Sequence, residues 1–263
     1  MLTGGTDNVP SEDEIFIKLR QLLETGEVEE ENGFYCLSGR REIIERRLAN
    51  YPFYLERVIR AARLIKWVKY IPYIRSVLLS GSTAGMHGGP KSDIDFIVIV
   101  KPGRIWIARL LLTGFMQFLG VRRYGDKITD RICLSHYIVD GESFETRYRP
   151  LDYATMLCML NFEVASAFLA RQKWLQGFLQ TMPEMPISVL TQTKSAVLQP
   201  FLELIFEVLG AKYWDKLARF YQKNRIKPGV GIFISDNELA FHPTSKRREI
   251  YAEFEHKIKE LGA

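Results

Sequence analysis

Residues 74–100, IRSVLLSGSTAGMHGGPKSDIDFIVIV, divide into two apolar runs around a glycine-rich turn. Ile74 to Leu79 is short and rich in branched side chains, which predicts a buried strand. Ser80-Gly81-Ser82 follows as a turn, and Asp93 to Val100 (DIDFIVIV) predicts a second strand. That second run is almost continuously apolar, so both its faces should be covered. Gly81 permits a backbone conformation closed to other residues and lets a phosphate approach the main chain. Ser82 adds a hydroxyl at the start of a following helical turn, where unpaired N–H groups attract anions. Asp93 and Asp95 are two apart on a strand, so they share a face. Two carboxylates at the edge of an apolar sheet repel each other and are costly to desolvate. A divalent cation removes that penalty, and Mg²⁺ typically takes one or two carboxylates plus phosphate oxygens. An isolated Asp-x-Asp is commonly just a pair of solvated acids. The Gly-Ser turn upstream and the flanking apolar strands set this one apart.

The run LLSGSTAGMHGGPKSDIDFIVIV resembles the signature of the DNA polymerase beta-like nucleotidyltransferase superfamily: an apolar strand, Gly-Ser, a short helix, then Asp-x-Asp on the next strand. The likeness is specific over Val77 to Val100 and extends less closely to about residue 150. It implies an α/β (α+β) fold, with a small mixed sheet backed by helices. It places a nucleoside triphosphate near Gly81 and Ser82, and Mg²⁺ or Mn²⁺ on the catalytic pair Asp93 and Asp95. The implied chemistry is in-line attack of an acceptor hydroxyl on the alpha phosphate, with pyrophosphate leaving. The acceptor stays open between an RNA end, a protein and a small molecule.

Active members of that superfamily usually carry a third carboxylate on a following strand. Here the corresponding run is Ile132 to Val139 (ICLSHYIV), which contains no acid. Simple alternation puts Cys133, Ser135 and Tyr137 on one face and Ile132, Leu134, His136 and Ile138 on the other. Ser135 is then expected where the third carboxylate would stand. The nearest acids are Asp126, Asp130 and Asp140. The alternative reading is therefore a nucleotide-binding or interaction module without turnover. His136, on an apolar face, reads as a hydrogen-bonded core residue in preference to a base.

Outside this segment, Ser11 and Glu14 form a capping-box pattern before Ile15, Phe16, Leu19, Leu22 and Leu23, predicting a helix that ends near Gly26. Asn32-Gly33 signals a turn before a short strand at Phe34 to Leu37. A reduced winged-helix-like unit over 1–70 is expected, closing with a long helical pattern from Arg41 to Tyr70 that Pro52 interrupts or kinks. The nucleotidyltransferase core would span 71–150, with a helix over 104–119 and a basic turn, VRRYGDK, before the third strand. Residues 151–263 read as a helical region with a short strand within 229–242 and a last helix at about 244–261.

Composition is that of a soluble protein with a packed core: 263 residues, 47% hydrophobic and 25% charged. The three cysteines (Cys36, Cys133, Cys158) lack CxxC spacing, and the start shows no secretory pattern, which suits a reducing cytoplasm and argues against a disulfide or zinc framework. All three are expected as small core residues. Ile105 to Gly120 is interrupted by Arg109 and falls short of a membrane span. Tyr153 to Ala170 contains Asn161 and Glu163, and both stretches read as buried helices with no membrane partner. Net charge is +5 but uneven, with nine acidic against three basic residues in the first forty. That acidity argues against DNA reading by the N-terminal unit. Arg122-Arg123 and Lys246-Arg247-Arg248 are the segments suited to phosphate contact. Some small nucleotidyltransferases work beside a helical ribonuclease. The Arg-x4-His spacing of such toxins is absent, so a fusion is not expected, while a separate partner protein is compatible.

Overall fold

In the computed structural model, the described residues are 11–143, 155–172, 193–226, 229 and 231–241. In chain order the helices are α1 (Glu12–Glu24), α2 (Glu42–Val68), α3 (Gly81–Ala84), α4 (Ile105–Phe118), α5 (Phe162–Ala170), α6 (Leu198–Val208) and α7 (Ala211–Lys223). The strands are β1 (Val28–Glu31), β2 (Phe34–Leu37), β3 (Ile74–Ser80), β4 (Ile94–Val100), β5 (Ile132–Val139), β6 (Leu157–Leu160), β7 (Ile232–Ile234) and β8 (Glu238–Phe241). This is a mixed α+β fold, as the sequence leads one to expect.

β4 is apolar at every position except Asp95, and it lies inside a six-stranded sheet ordered β6-β3-β4-β5-β8-β7. β3 runs antiparallel to β4 and β5 runs parallel to it, so α4 serves as the crossover between β4 and β5. One face of β4 (Ile94, Phe96, Val98, Val100) packs with Val77 and Leu79 against Tyr54, Val58, Ala61 and Ile65 of α2 and Trp106, Leu112 and Met116 of α4. The other face (Ile97, Ile99) packs with Leu78 and Ile138 against Phe168 and Leu169 of α5. Each such fully buried side chain is worth about 1.5–3 kcal/mol. Two covered faces explain why the strand reads as a nearly unbroken apolar run.

α2 buries Tyr54, Arg57, Val58, Ala61, Ile65 and Val68, a three-and-four spacing that keeps one stripe on the sheet. It continues through Pro52 as one helix of 27 residues, so the expected interruption does not occur. Proline lacks only its own N–H, and flanking turns with a buried stripe hold the helix together. At the other end, α6 is anchored by Glu203, which receives Arg75 at 2.7 Å and the Tyr73 N–H at 2.7 Å.

The N-terminal helix and hairpin form as expected. Ser11 and Glu14 cap α1 reciprocally, and Asn32 and Gly33 both have positive φ (54° and 79°), which suits the twist of a two-residue hairpin turn. α1 buries none of its residues, and Ile15, Phe16 and Ile17 stay more than half exposed.

The region after 150 departs from expectation. β6 pairs with β3, and β7 and β8 extend the sheet beyond β5. Three of the six sheet strands therefore come from a stretch read as helical with one short strand. Tyr153 to Ala170 is not helical throughout, because the four residues of β6 precede α5. LCML is apolar and too short for its periodicity to separate strand from helix. Asn161 ends that strand in a left-handed conformation (φ 50°), its amide donating to Arg75 O at 2.7 Å. Among the described residues no helix is long and apolar enough to cross a membrane. Residues 1–10, the expected helix at 244–261 and Lys246-Arg247-Arg248 lie outside the described residues.

Candidate metal and phosphate site

β3 ends with Ser80 directly opposite Asp95 on β4. The chain then turns at Gly81 with φ +69°, and a Cβ there would stand 2.2 Å from Asp95 Oδ2. Glycine is thus required twice, once for the backbone angle and once for the space the carboxylate occupies. α3 is a single turn of four residues, held to the start of β4 because Thr83 Oγ1 donates to Asp93 O at 2.9 Å. The N–H groups of His87 and Gly88 both donate to Ser82 O at 3.0 Å, folding the glycine segment back over α3. A Cβ on Gly88 would lie 3.2 Å from Ser82 Oγ and 3.4 Å from Arg57 Nη1. The turn therefore sets Gly81 against the carboxylates, with Ser82 one step back in the wall of the glycine loop.

Arg57 fixes that loop from behind. Its guanidinium is almost fully buried and donates to Asp130 Oδ1 at 2.8 Å, Gly88 O at 3.4 Å and Pro90 O at 3.2 Å. Sequence reasoning missed it, although a charged residue inside the buried stripe of α2 is a signal in itself.

Asp93, Asp95 and Cys133 each present a ligand atom, and these atoms lie within 4.8 Å of one another. They are the one such group of three among the described residues. Cys133 is the register partner of Asp95 across the parallel β4–β5 ladder. The next aligned pair is Ile97 with His136, so three steps on β5 match two on β4. This is a β-bulge, and it breaks the alternation expected for β5. Ile132 and Tyr137 consequently pack on the α2–α4 side, while Ile138 faces α5. The residue beside the acid pair is therefore Cys133, not Ser135.

Among the described residues no carboxylate takes that place. Asp130 is held by Arg57, Asp140 by Arg171, and Glu142 accepts from Asn237 Nδ2 at 2.9 Å. His136 is fully buried with Nε2 3.0 Å from Glu238 Oε1, which makes it a core residue, as its apolar face led us to expect. Of the three cysteines only Cys158 is a buried core residue, while Cys36 and Cys133 are half-buried.

Electrostatics divide the cluster. Arg123 Nη1 donates to Asp93 Oδ2 at 2.5 Å and reaches Cys133 Sγ at 3.7 Å, placing a positive charge on the ligand group. Burial, followed by the negative charges of Asp95 and Asp93, pushes the Cys133 thiol up to about 12, so it is protonated. Carboxylate oxygens suit Mg²⁺ or Mn²⁺, and a thiol as third donor moves the preference toward the softer transition ions. The donor set thus fits a divalent cation on Asp93 and Asp95.

No family model, curated protein or solved structure matches the chain, so the geometry alone carries a functional reading.

Proposed function

We propose that the protein is a metal-dependent nucleotidyltransferase-like protein, moving a nucleoside monophosphate from a nucleoside triphosphate to a hydroxyl acceptor. The observation that carries this reading is the convergence of Asp93 and Asp95 beside a positive-φ glycine whose missing side chain leaves room for the Asp95 carboxylate. Asp93 and Asp95 hold Mg²⁺ or Mn²⁺, and Gly81 and Ser82 receive the triphosphate. A bound cation supplies charge neutralisation at the alpha phosphate and the pyrophosphate leaving group. Gly81, having no side chain, leaves the Asp95 carboxylate the room it occupies beside the turn. Arg123 neutralises Asp93 until the cation takes its place. Free cysteines fit a cytoplasmic setting.

A second reading, nucleotide binding without turnover, is favoured by one observation. The third donor is a protonated thiol, which is a poor acceptor for the proton of an attacking hydroxyl. One experiment separates the two: the four nucleoside triphosphates with Mg²⁺ or Mn²⁺, reading both binding and pyrophosphate release. Release that vanishes in Asp93→Ala and Asp95→Ala supports transfer, and binding without release supports the second reading. Absence of any metal-dependent nucleotide binding overturns both.

A further inference from the structure

A cleft of about 390 Å³ opens beside the acid pair, between α4 and β5. Asp95, Cys133, Ser135, Arg109, Arg122 and Arg123 line it. Gly81 and Ser82 do not line it, although Asp95, which does, also abuts Gly81. Arg123 is tied to Asp93, but no carboxylate among the described residues pairs with Arg109 or Arg122. Arg109 is the more demanding case. Its guanidinium lies 4.7 Å from the centre of the Phe241 ring, Nη1 donates to Gln222 Oε1, and the buried Nε has no hydrogen-bond partner. Gln222 is itself fixed, since its Nε2 donates to Trp106 O at 2.8 Å. Burial first, and then the nearby Arg122 charge, hold Arg109 below its ordinary range, opposed by Tyr137.

A buried cation without a paired carboxylate is unfavourable, and the half-buried Arg122 in the same cleft adds a like charge. A bound anion relieves both costs. Two forked guanidinium groups match the oxygens and the double negative charge of a phosphate monoester. The volume admits a small phosphorylated molecule as well as a bare ion. We propose that the Arg109–Arg122 cleft binds a phosphate group carried by the acceptor, an assignment to the acceptor that rests on the nucleotidyltransferase reading. Because the cleft shares Asp95 and Cys133 with the cation group, a phosphate seated on the arginines sets the rest of its molecule beside Asp95.

The test is calorimetric titration of the full chain with inorganic phosphate and with glycerol 3-phosphate, in EDTA and without nucleotide. Both probes are expected to bind, the ester at least as tightly as the free ion, and more weakly as ionic strength rises. Arg122→Gln and Arg109→Gln should each weaken binding about tenfold or more, the loss of a charge-assisted contact. Arg122 is only half-buried on a turn, so its variant keeps the test valid if Arg109→Gln fails to fold. Asp93→Asn should retain phosphate binding, and manganese–nucleotide binding should survive in Arg122→Gln. No phosphate binding, or binding unaffected by the arginine changes, overturns the proposal. Exclusion of the ester overturns the acceptor assignment. Loss of nucleotide binding in Arg122→Gln in step with phosphate also overturns it, because the cleft would then hold the nucleotide's own triphosphate. Phosphate binding alongside a complete absence of nucleotide binding leaves the anion site standing and removes the nucleotidyltransferase reading.

Discussion

β3 and β5 flank the same strand and treat Asp95 in opposite ways. On the β3 side the constraints are those of the main chain: Ser80 opposite the acid, then a positive-φ glycine with the carboxylate filling the space of its missing side chain. On the β5 side they are side chains: a protonated thiol in register, a buried serine, and arginines across a cleft. In the proposed reading, the β3 side leaves room at Gly81 for the Asp95 carboxylate that would hold the cation. Activating an attacking hydroxyl needs a proton acceptor, and the β5 side offers a thiol in place of a carboxylate. The proposed reading therefore places binding and activation on different edges of one strand.

The largest expected effect removes what the two sides share. Asp95→Ala should weaken Mn²⁺ binding by more than about a hundredfold, since even outer partners of metal ligands contribute about 10–100-fold. Titration with Mn²⁺ followed by paramagnetic resonance measures it, and an unchanged affinity removes Asp95 from the cation group. Gly81→Ala breaks the β3 side alone. A left-handed alanine with a Cβ 2.2 Å from Asp95 Oδ2 should cost about 1–3 kcal/mol in urea unfolding, together with metal affinity. Unfolding at the wild-type midpoint would show that the turn relaxes freely.

Cys133→Asp sharpens the β5 side by restoring an acid in register with Asp95. Pyrophosphate release with Mg²⁺ should rise by roughly tenfold, short of the about 10²–10⁴-fold that a fully placed general base contributes. An unchanged rate would show that activation does not depend on this position. The smallest effect belongs to the remote end of β3. Burial alone would raise the Glu203 pKa, but Arg75 and the Tyr73 N–H outweigh it and hold the carboxyl below its ordinary value of 4.5. A carboxyl lowered in the folded state stabilises fully above that ordinary value and loses its contribution as pH falls through the lowered one. Melting temperature should therefore drop on acidification below 4.5, and Glu203→Gln should flatten the drop without altering Mn²⁺ affinity.

Local patterns were legible in advance. The capping box at Ser11, the Asn32-Gly33 hairpin, and the strands on either side of the Gly81 turn all depend on near neighbours in the chain. Asp93 and Asp95 share a face by strand period alone. Cys133 shares a face with Ser135 by strand period, and which of the two stands in register with Asp95 is set by strand pairing, which no local pattern fixes. β6 was missed because four apolar residues carry no usable period. Arg57 and Arg109 owe their meaning to partners more than thirty residues away, which no local pattern reveals.

The buried guanidinium of Arg57 has a kinetic consequence. It joins Gly88 and Pro90 to Asp130, and the same two segments are bonded again by Asp130 N–H to Ser92 O and Ile94 N–H to Arg131 O. Arg123 N–H continues the chain to Ile132 O. Amide exchange in these stretches should report one opening event, not several. The glycine loop and the segment bearing Arg122 and Arg123 should then open together, which would time entry of both proposed ligands by a single motion.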